Sequence, residues 1–330
     1  MRGPGTQSHG GEVLKSRRTV TGSPDQRSGA EREEQIVTET VFLQPADLEE
    51  LGACLSEMTE KSVILAGGTD LIIKLREQDP GPDRILDLGK VKELKEIRRE
   101  GNMLFIGAMA THARIASEPL VRRYFPALAL ACSQVGSMQI RNKGTIGGNL
   151  GNMSPAGDML PVLYLFHASV RILGPLMERR QISVTDLPVR PGRTSLGKKE
   201  MILGICLPLR EGRRSCFVKL GGRKEVTIAE ISLCVSWEEK DGFFADTEGI
   251  LGAVDTKPVV VEDIGKYLDG RKVGKEEREL LSKNLSGRIQ KIRMERKKPP
   301  ALRVTEAERL YKERAVKGVV YDVIDLMEWS

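Results

Sequence analysis

Two glycine-rich segments carry the residues best suited to chemistry in this chain. The first is Leu65-Ala66-Gly67-Gly68-Thr69-Asp70-Leu71; the second is Gly144-Thr145-Ile146-Gly147-Gly148-Asn149-Leu150, followed by Ser154-Pro155-Ala156-Gly157-Asp158. Each holds a Gly-Gly pair, which lets backbone N–H groups approach a bulky anion with no Cβ in the way. Each also holds a threonine hydroxyl and a nearby carboxylate, groups that suit phosphate and hydroxyl partners respectively. Two such segments in one chain predict a ligand held at several points, such as a dinucleotide.

The other reactive residue types exclude more than they offer. His9, His112 and His167 are far apart and form no H-x-E or H-E-x-x-H pattern, so they read as surface or packing residues and no metal site is expected. Cys54, Cys132, Cys206, Cys216 and Cys234 are scattered without a C-x-x-C, which argues against a disulfide framework, a zinc ribbon or an iron–sulfur cluster on this chain. No G-x-x-x-x-G-K-[ST] occurs, and Gly147-Gly148-Asn149-Leu150-Gly151 lacks the spacing of G-x-G-x-x-G, so P-loop and Rossmann readings both fail. No acid–base pair stands out, and the catalytic residues stay unassigned.

The elements that must position these segments follow from patterning. The first 35 residues are polar and poor in large apolar side chains, so they are expected to be disordered, with order beginning near Ile36. A helix is predicted from Asp47 to Met58. Strand Ser62–Leu65 then runs into the first glycine segment, a helical turn covers Leu71–Leu75, and another strand covers Arg84–Leu88. Strand, Gly-Gly turn and helix start is the geometry that presents free N–H groups to phosphate. Further on, strand Met103–Ile106 and helices Thr111–Ser117 and Pro126–Val135 lead to the second segment, which reads as a loop. Helix Asp158–Phe166 and strands at Ala168–Leu173, around Ile182 and at Met201–Leu207 follow. Pro208–Gly212 is a polar break. Beyond it come strands near Cys216–Leu220, Ile228–Trp237 and Ile250–Val254, and helices over 259–268, 275–294 and 305–327.

Composition narrows the class. The chain has 330 residues, room for two or three packed subdomains, with 40% hydrophobic and 30% charged residues. No apolar run of about 18 residues and no apolar signal core is present, so no membrane span is expected and the cytoplasm is the expected location. Residues 266–300 hold twelve Lys/Arg against five Asp/Glu. Leu280, Leu281, Leu285, Ile289 and Ile292 recur there at helical spacing, so the segment reads as an amphipathic helix with a solvated basic face rather than a nucleic-acid site.

The same residues carry a resemblance. Ala66-Gly67-Gly68-Thr69-Asp70-Leu71 resembles the first flavin loop of the FAD-binding (medium) subunits of molybdenum hydroxylases, the family of xanthine dehydrogenase and aerobic carbon monoxide dehydrogenase. Gly136 through Leu150 is similar to the family's second loop almost residue for residue, and Ser154–Pro161, Ile106-Gly107-Ala108 with Thr111, Phe217-Val218-Lys219, Ile228-Ala229 and Gly252-Ala253-Val254 continue the likeness over residues 36–330. It implies FAD as cofactor. The N–H groups of Gly67, Gly68 and Thr69 would wrap its diphosphate with Asp70 closing the loop. Thr145, Ile146, Gly147, Gly148 and Asn149 would lie along the other side, and Asp158 would accept from ribityl or ribose hydroxyls. Ile202 would pack near the flavin ring, and Lys219 matches a lysine near that ring in some members. Two departures stand out: the four-cysteine insertion of some members is missing, and 281–300 is more basic than usual.

The resulting expectation is an α+β chain. A two-lobed FAD-binding domain (36–211) would combine a small parallel sheet (36–92) with a mixed or antiparallel one (93–211), followed by a C-terminal antiparallel-sheet and helix domain (212–330). As implied by the resemblance, it would be an oxidoreductase subunit. It would pass electrons from 2Fe-2S clusters on a small partner through FAD to NAD or another acceptor, while a large partner holds the molybdopterin. Nucleic acid and membrane are not expected partners. A stand-alone FAD-dependent oxidoreductase and a non-catalytic paralogue that has lost FAD remain the alternatives.

Overall fold

The computed structural model describes residues 40–77, 81–223, 226–295 and 306–329, with the side chains of 306–309 left aside; the expected N-terminal disorder over 1–35 lies outside the described residues. The chain builds three sheets of consequence. The first uses β1 (Val41–Leu43), β2 (Val63–Leu65) and β3 (Arg84–Asp87), all parallel in the order β1-β3-β2. Helix α1 (Leu48–Ser56) starts where the Asp47 carboxylate accepts from the amides of Glu49 and Glu50, and it buries Leu51 and Leu55. Helix α2 (Leu71–Glu77) follows the first glycine segment and buries no residue.

The second sheet is wholly antiparallel. It takes β4 (Ile97–Glu100) and β5 (Met103–Gly107) as a hairpin. Six short helices follow: α3 (His112–Ser117), α4 (Pro119–Tyr124), α5 (Pro126–Ser133), α6 (Met138–Lys143), α7 (Ile146–Asn152) and α8 (Met159–Leu165). The chain then returns through β6 (Ser169–Leu173), β7 (Arg179–Ser183), the small β8 (Pro188–Arg190) and β9 (Arg193–Thr194) pair, and β10 (Met201–Pro208). The order is β4-β5-β10-β6-β7. Strand β10 reads as one unbroken apolar run because both faces are covered. Ile202, Ile205 and Leu207 join the core under the helices, and Met201 and Leu203 join the core of the parallel sheet.

The third sheet pairs β11 (Arg214–Gly221), β12 (Ala229–Lys240), β13 (Phe243–Gly252) and β14 (Val259–Val260) antiparallel in sequence order. One face presses Phe217, Cys234 and Ile250 into the helical core of the second sheet. The other packs Leu233, Val235 and Trp237 against α10 (Lys275–Glu295) and α11 (Glu306–Trp329). Between β14 and α10, α9 (Gly265–Leu268) is a single turn.

Four expectations change here. The second glycine segment is helical from Ile146 onward. The predicted helix at 259–268 begins instead as β14, because Val259 and Val260 complete the edge of β13. Leu280 sits outside the core at 46% exposed, while Leu281, Leu285 and Ile289 are buried. Part of the basic face of α10 is paired rather than free: Arg288 Nη2 lies 2.6 Å from Asp263 Oδ1 and Arg278 Nη2 lies 2.9 Å from Glu328 Oε2. Among the described residues, no helix is long and apolar enough to cross a membrane.

Candidate functional site

The two glycine segments meet. A Cβ on Gly67 would stand 1.9 Å from the Lys143 carbonyl oxygen, so the first segment lies flat against the α6–α7 junction with no room for a side chain. Gly68 adopts φ +72°, which turns the chain from β2 toward α2. The amides of Gly67, Gly68, Thr69 and Asp70 find no acceptor among the described residues. Unpaired, with Gly67, Gly68 and Thr69 half-buried, they form the free donor set of this region. Asp70 is exposed and pairs with Lys74 Nζ at 2.6 Å, and the same ammonium donates to Asn152 Oδ1 at 2.6 Å, tying α2 to the end of α7.

The second segment spends its amides internally. Ile146 N donates to Ala110 O (3.1 Å), Gly147 N to Ala108 O (2.9 Å) and Asn149 N to Thr145 O (2.9 Å). The Thr145 hydroxyl caps the helix by accepting from Gly148 N at 3.1 Å. Gly147 has no Cβ because one would fall 2.6 Å from Ala108 Cβ. Thr145 and Ile146 are buried, so their side chains hold α7 in place. What α7 presents outward is its half-buried glycine surface beside Ala66 and the Asn149 side chain, which reaches toward Gly157. The free N–H groups therefore come from Gly67–Asp70, and α7 supplies shape.

Asp158 stands at the start of α8, but its side chain makes no cap hydrogen bond there. Its Oδ2 accepts from Lys219 Nζ at 2.7 Å, and its Oδ1 is sealed from solvent with no partner. Lys219 reaches across from β11 and also donates to Gln134 O (2.8 Å) and Thr227 O (3.5 Å). Both side chains are nearly inaccessible, at 4% for Lys219 and 8% for Asp158. Burial pushes the Asp158 carboxyl above the ordinary carboxylate range, and the Lys219 charge pulls it part of the way back. All three ammonium protons of Lys219 have acceptors, so it acts through Asp158 rather than as a free cation. Ile202 is 5% exposed within the helical core, one residue before a bulge in β10.

The structure thus brings Leu65–Leu71 together with 144–149, and Asp158 together with Lys219. Two features carry no local sequence signal. One is the backbone carbonyl of Lys143 as the wall behind Gly67; the other is His112, whose amide donates to Gly144 O at 3.0 Å. A separate cleft of about 330 Å³ opens elsewhere, lined by Arg98, Phe105, Arg171, Arg180 and Leu203 among others. It contains no residue of either glycine segment, and Glu100 and Glu200 pair Arg98, Arg171 and Arg180. Among the described residues, no group of His, Cys, Asp and Glu could hold a metal ion.

Comparison with known proteins gives this geometry its context. Residues 36–210 match the family model described as the FAD binding domain in molybdopterin dehydrogenase. The chain is 38% identical over 195 residues to the nicotinate dehydrogenase FAD-subunit of Eubacterium barkeri, covering 58% of this chain and 66% of that protein. It is 30% identical over 244 residues to the nicotine 6-hydroxylase medium subunit of Paenarthrobacter nicotinovorans, covering 73% and 84%. Among solved structures, a chain of the carbon monoxide dehydrogenase of Hydrogenophaga pseudoflava superposes with a TM-score of 0.73 at 23% identity, covering 86% of this chain and 95% of that one.

Proposed function

Because the chain belongs to the family of FAD-binding domains in molybdopterin dehydrogenases, as an oxidoreductase subunit, we propose that it is the flavin-bearing middle of a three-part assembly. In this reading a large partner holds molybdopterin, a small partner holds 2Fe-2S clusters, and NAD or another acceptor receives the electrons. Bound FAD supplies the redox chemistry, accepting electrons from one partner and releasing them to another.

The observation that carries this reading is the interlock of the two glycine segments, which leaves four unpaired amides beside a surface stripped of side chains. Donors fixed in advance toward an anion cost little reorganisation when it arrives. Gly67, Gly68 and Thr69 would donate to the diphosphate. Asp70, held by Lys74, closes that turn. Thr145, Ile146 and Gly147 fix α7 from behind, and Gly148 and Asn149 face the ligand side.

Asp158 Oδ1 is a buried acceptor lacking a donor, which costs stability unless a ligand hydroxyl supplies one. Lys219 keeps that carboxylate charged and pointing one oxygen away from itself. Ile202, 5% exposed in β10, would pack near the flavin ring.

The test is purification of the full chain. It should carry flavin absorbance, reduce an artificial dye with NADH, and show little dye reduction with purines or aldehydes, whose chemistry belongs to the large partner. Robust substrate-dependent reduction by the isolated chain would refute the subunit reading in favour of a stand-alone enzyme. A folded chain that takes up no FAD would indicate a paralogue that has lost its cofactor.

A further inference from the structure

His112 opens α3 directly behind the second glycine segment, and it is 2% exposed. A methyl group placed on Gly144 would lie 3.3 Å from His112 Cδ2 and 3.6 Å from Thr69 Oγ1, so the ring edge bearing Cδ2 and Nε2 faces the junction of the two segments. The other ring nitrogen, Nδ1, is sealed in the protein with no hydrogen-bond partner. This is a titratable side chain, buried one layer behind the free amides, with unused hydrogen-bonding capacity.

Its surroundings contain no anion to hold an imidazolium. Helices α3, α5 and α6 carry no Asp or Glu, and α4 has only Glu118 at its cap position. The charged groups on the packed elements are otherwise cationic: Arg114 on α3, Arg122 and Arg123 on α4, Arg141 and Lys143 on α6. Across the junction, the Asp70 carboxylate is already paired with Lys74. An imidazolium here gains a counter-charge only when an anion is seated against the glycine segments.

We propose that His112 is a proton-linked member of the diphosphate cradle: its ring is neutral in the free protein and takes up one proton from solvent when the doubly charged diphosphate of FAD binds. The inference rests on the reading of this site as a flavin nucleotide site, and adds to it a pH dependence and a residue. Desolvation agrees with the first half, lowering the ring's pKa from 6.5 to about 4 in the free protein. If the diphosphate restores an ordinary imidazole pKa, FAD binds roughly tenfold tighter at pH ~5.5 than at pH ~7.5, with uptake of about half a proton near pH 6.5.

The experiment is calorimetry of FAD binding to the full chain in two buffers of different ionisation enthalpy, which counts protons directly. Wild type should take up protons near pH 6.5, and His112→Gln should bind FAD with no uptake and no pH slope. Should that variant fold poorly, nitrogen NMR on histidine-labelled wild type reads the same event, since the chain has only three histidines. One ring should change from neutral to cationic when FAD is added. Binding without proton uptake in wild type, equal uptake in His112→Gln, or a ring that stays neutral in the loaded protein overturns the inference while leaving the flavin reading intact. Failure to bind FAD at any pH overturns both.

Discussion

Gly67→Ala adds one methyl group at the place where the two glycine segments touch, and the structure allows its effect to be worked out. The new Cβ would sit 1.9 Å from Lys143 O, 2.7 Å from the carbonyl carbon and 3.1 Å from Gly144 Cα. Carbon–oxygen contacts settle at about 3.3 Å, so the backbones must part by more than about 1 Å. The obstacle is backbone anchored by the His112 N to Gly144 O and Gly144 N to Ile140 O bonds, so it cannot swing aside as a side-chain tip would. Overpacking of this kind costs ~1–3 kcal/mol in fold stability. Binding suffers separately, because the amides of Gly67–Thr69 shift away from the α7 surface. Losing one or two hydrogen bonds to a charged diphosphate, at about 1.5–3 kcal/mol each, weakens FAD by roughly 10- to 20,000-fold. The control is Gly151→Ala on the facing helix α7, where a Cβ meets nothing within 4 Å. That change should leave FAD affinity intact and add ~0.5–1 kcal/mol of stability. Fluorescence titration of FAD and urea unfolding measure both quantities. Unchanged affinity in Gly67→Ala would refute the interlock as the basis of binding.

Gly68, at φ +72°, should accept Asn, which tolerates the left-handed region, with only a few-fold loss of FAD affinity, whereas Gly68→Val should abolish measurable binding; a titration of both variants decides it. Lys219→Met strands the buried Asp158 carboxylate and should cost about 3–5 kcal/mol in urea unfolding, with part of that loss recovered in the double variant Lys219→Met/Asp158→Asn. Asp158→Ala should weaken FAD by about 1–3 kcal/mol, and unchanged affinity by calorimetry would remove it from the site. Without ligand, His112 binds protons more weakly folded than unfolded, so stability is full above pH 6.5 and declines as pH falls toward about 4. The total loss is ~3 kcal/mol, and a pH series of unfolding curves should show that slope flattened in His112→Gln.

Local signals made much of this legible. The Gly-Gly pair after Val63–Leu65 reads as strand, turn and helix start because each step is a near-neighbour effect, and that is what forms. The Pro126 start of α5 and the hairpin turn at Asp241-Gly242 are likewise written in adjacent residues. The second glycine segment misled for an instructive reason. Three glycines in seven residues read as loop, yet Thr145 caps the turn and Gly147 is demanded by Ala108, a residue about forty positions away. Distant packing overrode a propensity cost of about 1 kcal/mol per glycine. The same distance hid the partner of Lys219: a lysine 61 residues from Asp158 in sequence shows no pairing until β11 is laid against α5. His112 looked like a packing histidine, which its burial supports, but no periodicity could place it behind Gly144.

The Asp158–Lys219 pair also bears on why the C-terminal sheet accompanies the glycine segments at all. Asp158 belongs to the turn that follows α7, and Lys219 to the sheet whose far face is closed by α10 and α11. Burial raises the pKa of the Asp158 carboxyl and the ammonium lowers it, so removing the ammonium shifts the balance toward the neutral acid, a poor acceptor for a ligand hydroxyl. The lysine in turn needs Gln134 O and Thr227 O to remain buried as a cation. The charge state of this carboxylate therefore depends on contacts drawn from α5, α8 and β11 together. Loosening β11 from α5 at the Ala127 N to Ser215 Oγ bond (3.1 Å) should lower FAD affinity although neither residue belongs to the glycine segments. Ser215→Ala tests this: a shift in affinity that grows toward low pH, where an under-stabilised Asp158 protonates first, is the result the coupling requires, and a pH-independent change would speak against it.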